Sequence, residues 1–161
     1  MEKYKHISRT QTIKIEGPIE IVFPLFTPEG EKKWADGWDF KLIYPEDGRI
    51  GDGYLFSTGN HDHKEAGALW IINRYNPKKY QISYYRIEPH IKIGAIEINC
   101  KTTKKNMTAV TVTYAYTGLS KKGNLFIDGF NQDGYREYIQ SWATAINHFL
   151  KTGQTLSRFQ T

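Results

Sequence analysis

The chain has little of what stabilises or anchors many small secreted and membrane proteins. Its 161 residues include one cysteine, Cys100, so an internal disulfide is excluded. No apolar run approaches the roughly 20 residues that a membrane-spanning helix needs. Residues 1–11 carry charge with no apolar stretch behind them, which is not the pattern of a signal peptide. We therefore expect a soluble, cytoplasmic protein with no membrane span.

The chain also lacks a strong charge of either sign. It has 22 lysines and arginines against 17 aspartates and glutamates, which gives a formal net charge of +5. The longest basic runs are pairs, such as Lys78-Lys79 and Lys121-Lys122. Nucleic-acid-binding domains usually concentrate their basic residues in a stripe. We therefore expect no nucleic-acid partner.

Aromatic residues are in excess. They make up 14% of the chain and include 11 tyrosines and 4 tryptophans. Rings that carry one polar atom suit a partly apolar cavity or an interface, and they also suit ordinary β-strands. A chain of this length buries roughly 70% of the surface of its unfolded form, which is enough for one core. We predict a single domain over residues 1–161, with its core over about residues 8–153.

Two short helices are predicted after a first strand at residues 8–16. Pro18 suits the first position of a helix, where its missing amide hydrogen costs nothing. Thr27 is a typical N-cap with Pro28 behind it, so a second helix should begin there and end near Trp34. The chain is therefore expected to pass from one strand through two short helices to the next strand.

Residues 40–117 alternate between apolar and polar side chains with a period near two, which predicts strands. The segments between the strands contain glycine, proline, asparagine or aspartate, which favour turns. The predicted strands span residues 40–44, 53–58, 66–75, 79–87, 91–103 and 107–117. Together with the first strand they make seven, joined mostly as an antiparallel meander.

The turns predict which side chains share a face of this sheet. A tight turn after Ile87 would pair it with Ile91, and a three-residue loop after Thr103 would pair it with Met107. Both pairings place the same even-numbered residues on one face, which we expect to be buried. These residues are Tyr80, Ile82, Tyr84, Ile96, Ile98, Cys100, Val110, Val112 and Tyr114.

A long amphipathic helix is predicted near the end of the chain. Apolar residues recur at intervals of three and four from Tyr135 to Phe149, and Gly153 is typical of a helix end. The helix should begin near Asp133, and whether residues 123–134 are continuous with it stays open. The side chains expected to pack on the even-numbered face of the sheet are Tyr138, Trp142, Ile146 and Phe149.

Four stretches of the sequence, with the order of the predicted elements, are similar to known proteins. They read GPIEIVFPLFTPEGEKKWADGW at 17–38, YPEDGRIGDGYLF at 44–56, WIINRYNPKKYQISYYRIEP at 70–89 and SWATAINHFLKTG at 141–153. They resemble the START/Bet v 1-like (SRPBCC) superfamily, in its bacterial polyketide cyclase/dehydrase-like or Hsp90-activator-like branch. The resemblance covers about residues 8–153. It implies an α+β helix-grip fold, in which a seven-stranded curved antiparallel sheet wraps around a long C-terminal helix, with two short helices after the first strand.

The resemblance also implies a cavity between the sheet and the last helix, because members of the superfamily typically enclose one there. We expect it between that helix and the strands at 79–87, 91–103 and 107–117. The candidate ligand-binding residues are Trp34, Trp38, Phe56, Trp70, Tyr84, Arg86, Ile96, Tyr114 and Trp142. Because the hydroxyls of Tyr84 and Tyr114 need hydrogen-bond partners, we expect a ligand or water in the cavity to supply them.

Charged residues and histidines are candidates for the polar end of this cavity. Arg86 and Lys92 follow the even-numbered register to its end, where they form either a positive rim for a carboxylate or phenolate, or an edge that faces water. His61 and His63 are candidates for the cavity mouth. Two histidines at this spacing suit zinc or nickel, but the sequence offers no clear third and fourth ligand. We predict no metal and no cofactor.

The acidic residues offer no catalytic pair. Glu20, Glu29 and Glu31 are interpreted as helix-start residues, Glu88 as a turn residue and Glu97 as part of the polar face of the sheet. We assign no residue a catalytic role.

Three functions stay open. The preferred one is the binding of a small hydrophobic or aromatic ligand, lipid- or polyketide-like. A cyclase- or lyase-like enzyme would use the same cavity, with Tyr84, Tyr114 or a histidine as the proton donor, but no residue is placed to perturb a tyrosine. A protein-interaction domain of the co-chaperone kind would instead need an exposed apolar surface. The oligomeric state stays open, with a homodimer as one alternative.

Overall fold

The protein forms one antiparallel sheet of seven strands, which confirms the predicted number of strands and their arrangement as a meander. The computed structural model describes residues 3–59 and 67–157. The strands are β1 (His6–Ile15), β2 (Lys41–Tyr44), β3 (Leu55–Thr58), β4 (Ala68–Asn76), β5 (Gln81–Glu88), β6 (Lys92–Lys104) and β7 (Met107–Gly118). They lie in the order β1-β7-β6-β5-β4-β3-β2. Strands β2 to β7 form a meander, and β1 completes the sheet by pairing with β7.

The predicted buried face of the sheet is confirmed. Along β7 every second residue is buried, and the residues between them keep some exposed surface. Cys100 pairs with Val110, and Ile98 pairs with Val112, as the spacing predicts. The even-numbered side chains of β5 to β7 therefore point to one side, where they form the apolar inner face of the sheet.

The predicted turn between β5 and β6 is wrong by two residues. Ile87 pairs with Ile93 rather than with Ile91. The pairing extends into the predicted turn as far as Glu88 and Lys92, whose side chains form an ion pair. Because side chains alternate with a period of two, a shift of two residues leaves every side chain on its predicted face.

The loop between β6 and β7 is one residue shorter than predicted. Lys104 pairs with Met107, and a bulge between Thr102 and Lys104 absorbs the extra residue. Asn106, in the loop, has a φ of 60°, a left-handed conformation that asparagine tolerates better than most residues. The bulge is why the predicted register holds in the body of the hairpin although the loop differs.

Two short helices follow β1, as predicted. Helix α1 spans Ile19–Val22 and runs into a 3₁₀ turn at Phe23–Phe26, and helix α2 spans Pro28–Glu31. The prediction that the second helix ends near Trp34 is wrong. The chain leaves regular helical geometry after Glu31 and continues as turns, in which the Ala35 amide still donates to the Glu31 carbonyl at 2.8 Å.

Capping residues mark the starts of both short helices, and one glycine fixes the position of α2. Thr27 is its N-cap, and the Thr27 hydroxyl accepts a hydrogen bond of 3.0 Å from the Gly30 amide. Pro18 is the N-cap of α1 rather than its first helical residue. A side chain at Gly30 would begin 1.9 Å from the Pro24 carbonyl oxygen, so only glycine permits this contact. Helix α2 therefore packs directly on the preceding turn.

Two separate helices follow the sheet, which settles the open question about the stretch before the long helix. Helix α3 spans Lys121–Gly129, and helix α4 spans Gln132–Thr152. The Asn131 side chain caps α4 by accepting a hydrogen bond of 2.8 Å from the Gly134 amide. Helix α4 ends at Gly153, which has a φ of 73°. The long helix and the curved sheet together make the α+β helix-grip fold that the sequence predicts.

Helix α4 closes over the sheet mainly from one edge. Its backbone lies alongside β1 more extensively than along any other strand, whereas α3 packs on β7. Ile139 and Ile146 of α4 are fully buried. Tyr138 contacts the inner face of the sheet as expected, with its ring edge-on to that of Tyr114 at 6.2 Å, but 51% of its surface is exposed. The helix thus seals the β1 side and leaves a space over the middle strands.

The outer face of the sheet also carries apolar side chains. Tyr44, Leu55, Ile71, Tyr85 and Ala95 are cross-strand neighbours in succession from β2 to β6. Tyr44 is 62% exposed and Tyr85 is 43% exposed. We call these five residues the outer apolar row. It lies on the side of the sheet opposite to α4.

Candidate functional site

A partly open cavity of about 1300 Å³ lies between α4 and the central strands. Small-ligand sites in proteins occupy roughly 300–1,000 Å³, so this space is ample for one small molecule. Its apolar and aromatic lining residues are Trp34, Ala35, Trp38, Trp70, Tyr84, Ile96, Ile98, Tyr114, Tyr116, Phe126, Tyr138, Trp142, Ala145 and Leu156. Its charged lining residues are Glu31, Asp36, Asp39, Arg86, Glu88 and Lys92.

Two tryptophans fix the wall that carries α2. The Trp34 indole nitrogen donates a hydrogen bond of 2.7 Å to the Leu25 carbonyl oxygen. The Trp38 indole nitrogen donates one of 2.9 Å to the Pro28 carbonyl oxygen. Both polar atoms are therefore satisfied by backbone, and the rings give the cavity apolar surfaces in fixed orientations.

Trp70 lies in the cavity wall on β4, and Phe56 lies behind it. The Trp70 indole nitrogen donates a hydrogen bond of 2.8 Å to Thr58 Oγ1. Its ring is stacked on that of Phe56, with centroids 5.5 Å apart. Phe56 is fully buried under the rings of Trp38, Trp70 and Tyr84, and it is absent from the described cavity wall. The alternation along β3 puts Phe56 on the inner face, but larger rings separate it from the cavity.

The hydroxyl of Tyr84 has a partner within the protein. It donates a hydrogen bond of 2.5 Å to the Phe26 carbonyl oxygen. The Tyr135 hydroxyl likewise donates to the Val112 carbonyl oxygen at 2.6 Å. The expectation that Tyr84 needs a ligand or water as its partner is therefore wrong, because a backbone carbonyl from a distant segment fills that place.

The buried phenols are poorly suited to proton transfer near neutral pH. Burial raises the pKa of Tyr84 well above its usual range, and the charge of Glu31 raises it further. Burial also raises the pKa of Tyr114, with a further contribution from Tyr138. A phenol with a raised pKa is a weaker acid and stays protonated. This environment argues against the proton-donor role considered for Tyr84 and Tyr114.

Arg86 and Lys92 line the cavity where β5 ends and β6 begins. They share one carboxylate: Glu88 Oε2 lies 2.8 Å from Arg86 Nη1 and is also in contact with Lys92 Nζ. Glu88 is the last residue of β5, so its interpretation as a turn residue is wrong. Two cations and one carboxylate leave this end of the cavity with an excess positive charge.

Aromatic rings hold these cations in place. Lys92 Nζ lies 4.1 Å from the centroid of the Phe126 ring, and Arg86 Cζ lies 5.5 Å from that of Trp70. Burial alone would raise the pKa of Glu88, but a hydrogen bond from Lys92 and the charge of Arg86 hold it below its usual value. Glu88 is therefore ionised at neutral pH, and the cationic end is organised before any ligand arrives.

Glu31 is a polar lining residue that the sequence interpretation missed. It keeps some accessible surface although it lies deep in the protein, so that surface faces the cavity rather than bulk water. Burial raises the pKa of its carboxyl well above the usual value. A signal was present in the sequence: Trp34 and Ala35 follow Glu31 by three and four positions, and such positions share a face in helical geometry.

The two histidines expected at the cavity mouth, His61 and His63, lie outside the described residues. Thr58 and Gly59, which precede them, line the cavity. Among residues 3–59 and 67–157, no three side chains of histidine, cysteine, aspartate or glutamate are grouped so as to hold a metal ion. Over the same part of the chain, no helix combines the length and the apolar character needed to cross a bilayer.

Solved structures resemble this one across most of the chain, whereas no family model and no curated protein matches the sequence. Norcoclaurine synthase from Thalictrum flavum, in complex with dopamine and hydroxybenzaldehyde, has a TM-score of 0.64 at 10% identity, covering 92% of this chain and 88% of that one. Ara h 8.0201 has a TM-score of 0.65 at 10% identity, with coverages of 92% and 99%. The Mll3558 protein from Rhizobium loti has a TM-score of 0.60 at 16% identity, with coverages of 89% and 99%.

These similarities establish the fold. Norcoclaurine synthase and Ara h 8.0201 have the Bet v 1-like fold, and the present chain shares it. The resemblance seen in the sequence is thereby confirmed at the level of the fold. Because one fold hosts many functions, the activity has to be argued from the site itself.

Proposed function

We propose that the protein binds a small, largely aromatic ligand with an anionic group, in the cavity between the sheet and α4. The observation that carries this proposal is the cavity itself, in which about 1300 Å³ of space combines aromatic walls with a cationic end. Ligand sites are typically of this kind, mostly apolar with a few placed polar groups.

The walls supply affinity without selecting one ligand. Transfer of apolar surface from water contributes about 25 cal/mol per Å², so flat aromatic ligands gain most from contact with rings on several sides. Trp34 and Trp142 are 5.8 Å apart by ring centroids, and Tyr114 is 6.2 Å from Trp142. Rings in tilted and edge-on contact leave faces and edges for a further ring to pack against.

The cationic end supplies orientation. An arginine side chain has five N–H donors and a lysine has three, and Glu88 Oε2 is the shared carboxylate oxygen beside Arg86 and Lys92. The remaining donors can bind a carboxylate, sulfonate or phenolate, and hydrogen bonds between such charged groups are the strong ones. A ligand would therefore lie with its anionic group toward β5 and β6.

The structural neighbours support the same use of the fold. Norcoclaurine synthase has been solved with two small aromatic molecules, dopamine and hydroxybenzaldehyde. At 10% identity the residues of that site are not transferable to this chain, so the shared element is the arrangement of sheet and helix around a space.

A fluorescent probe that combines aromatic rings with a sulfonate group tests the cavity. Anilinonaphthalene sulfonate should bind the native protein at neutral pH with enhanced emission. Ile96→Trp should weaken that binding at least tenfold, because Ile96 lines the cavity and is 2% exposed. The matched control is Asn99→Trp, which adds the same side chain at an exposed position of β6 that is absent from the described cavity wall. Absence of binding by the folded wild type, or equal weakening by both substitutions, would contradict the proposal.

A pair of probes tests the cationic end. N-phenyl-1-naphthylamine is the same probe without the sulfonate group. Arg86→Gln should weaken binding of the sulfonate about tenfold and leave binding of the neutral probe nearly unchanged. Equal effects on both probes would show that Arg86 shapes the wall without recognising charge.

A second candidate is an interaction domain, and the outer apolar row is the observation that favours it. Exposed apolar patches on folded proteins often mark interaction sites. The occupant proposed is a second copy of the chain, because a row of uncharged apolar side chains is complementary to itself, as a two-fold interface requires. Light scattering at increasing concentration should then show a dimer that Tyr85→Lys converts to a monomer, while a monomer at all concentrations would exclude this candidate.

A further inference from the structure

Glu31 shares the wall of the cavity with three tyrosines. They come from three different elements: Tyr84 on β5, Tyr114 on β7 and Tyr138 on α4. All three line the same cavity as Glu31. The Tyr84 hydroxyl is already bonded to the Phe26 carbonyl oxygen.

No basic side chain balances Glu31 within the part of the chain that the structure describes. The ion pairs formed there by Arg86 and Lys92 involve Glu88, and the pair formed by Lys32 involves Glu29. Glu31 belongs to α2, whereas Arg86 and Lys92 belong to β5 and β6. The cavity therefore has a carboxyl on one side and an excess of positive charge on the other.

The surroundings of Glu31 are unfavourable to an isolated carboxylate and favourable to a cation. Trp34 and Trp142 are in ring contact at 5.8 Å, and Phe26 is 6.1 Å from Trp34. The faces of aromatic rings carry partial negative charge, which repels an anion and attracts an ammonium group.

We propose that Glu31 is the anchor for a basic nitrogen, so that the ligand is an aromatic compound with an ammonium group at one end and its anionic group at the other. This inference rests on the proposed function and narrows its ligand class to aromatic zwitterions. The aromatic walls bind the middle of the ligand, Glu31 pairs with the ammonium, and Arg86 and Lys92 pair with the anion.

Binding of an ammonium group at Glu31 has a proton signature. In the empty cavity, burial favours the neutral carboxyl, and an ammonium ion beside it favours the carboxylate instead. Glu31 therefore releases its proton as the ammonium binds. The other titratable groups that face it, the phenols of Tyr84, Tyr114 and Tyr138, have raised pKa values and keep their protons.

Calorimetry with two matched probes tests the anchor. Tryptamine carries an ammonium group, and 3-propylindole has a methyl group in its place. Tryptamine should bind at least tenfold more tightly, and its binding enthalpy at pH 6 should vary with the ionisation enthalpy of the buffer in the sense of proton release. Glu31→Gln should abolish both the preference and the proton release.

The matched control is Glu29→Gln. Glu29 belongs to the same helix, is 70% exposed at its side chain and is absent from the described cavity wall, so both effects should survive this substitution. If the sulfonate probe binds but tryptamine shows no preference, or the preference survives Glu31→Gln, the anchor is excluded and the proposed function stands. If neither tryptamine nor the sulfonate probe binds, both proposals fail.

Discussion

The hydroxyl of Tyr84 donates a hydrogen bond of 2.5 Å to the backbone carbonyl of Phe26. The bond joins the middle of the sheet to the 3₁₀ turn that precedes α2, and both residues are buried. It ties the wall that carries Glu31 to β5, which carries Arg86. The two charged sides of the cavity are thus connected through one buried contact.

Tyr84→Phe should destabilise the protein by about 1–3 kcal/mol, because the buried Phe26 carbonyl oxygen loses the partner that Tyr84 provides. Denaturant unfolding measures this cost. Tyr85→Phe is the control, since Tyr85 is the next residue of β5 and is 43% exposed, and its effect should stay within about 0.5 kcal/mol. Equal midpoints for the wild type and Tyr84→Phe would show that the bond contributes nothing.

Gly94→Ala should be destabilising by about 1–3 kcal/mol through overpacking. A Cβ atom at Gly94 would lie 2.9 Å from the ring of Tyr116, which pairs with it across β6 and β7. The Tyr116 ring is itself confined by Phe126 and Phe130, with centroids 5.0 and 5.1 Å away. Thermal and denaturant unfolding measure the effect, and an unchanged midpoint would mean that these rings can shift freely.

The Glu88 carboxylate should stabilise the fold above its unfolded pKa, near 4.5, because its folded pKa is lowered. That contribution is lost as the pH falls through the lowered folded value. Lys92→Met should raise the pKa of Glu88, move this loss to higher pH and cost about 1–3 kcal/mol at neutral pH. Stability curves from pH 2 to 7 measure it, with Lys101→Met, at an exposed position of β6, as the control. Identical curves for Lys92→Met and the wild type would contradict the assignment.

Glu31 should have the opposite effect on stability. Its folded pKa is raised, so the folded protein binds the proton more tightly than the unfolded chain does. Its favourable contribution is complete below the unfolded pKa, near 4.5, and is lost as the pH rises through the folded value. Glu31→Gln should therefore be more stable than the wild type at pH 8 and similar to it at pH 4. A variant that is less stable at pH 8 would show that the carboxylate is compensated.

The single thiol should be inert in the folded protein. Burial raises the pKa of Cys100 to about 12, so at pH 8 about one molecule in ten thousand carries the reactive thiolate. A thiol-specific colorimetric reagent should detect no cysteine in the native protein at pH 8 and one per chain in guanidinium chloride. Rapid reaction of the native protein would mean that β6 opens locally.

The inner face of the sheet was predictable because alternation survives errors in turns. The spacing pairs Ile87 with a residue two positions from its partner in the structure, yet every side chain of the hairpin lies on its predicted face. The same alternation places Glu88, an even-numbered residue, on the inner face. Its assignment to a turn came from the neighbouring Pro89, which signals a loop locally but does not show where the ladder of hydrogen bonds ends.

The depth of individual side chains was not predictable in the same way. Phe56 and Trp70 share the inner face, and only their packing shows that Trp70 lies between Phe56 and the cavity. Tyr138 falls on the apolar stripe of α4 but keeps half of its surface exposed, because the helix packs toward β1. Periodicity gives the direction of a side chain, whereas the distance between sheet and helix depends on the whole assembly.

The pairing of β1 with β7 sets an order of events during synthesis. His6 pairs with Thr117 and Ile15 with Thr108. The partner of the first strand is therefore synthesised roughly 100 residues after it. At 5–20 residues per second, that delay is roughly 5–20 s. During this delay the nascent chain carries an unpaired strand, whose free backbone groups are a template for non-native pairing. Helix α4 is synthesised after all seven strands, so it can close the cavity only once the whole sheet is available.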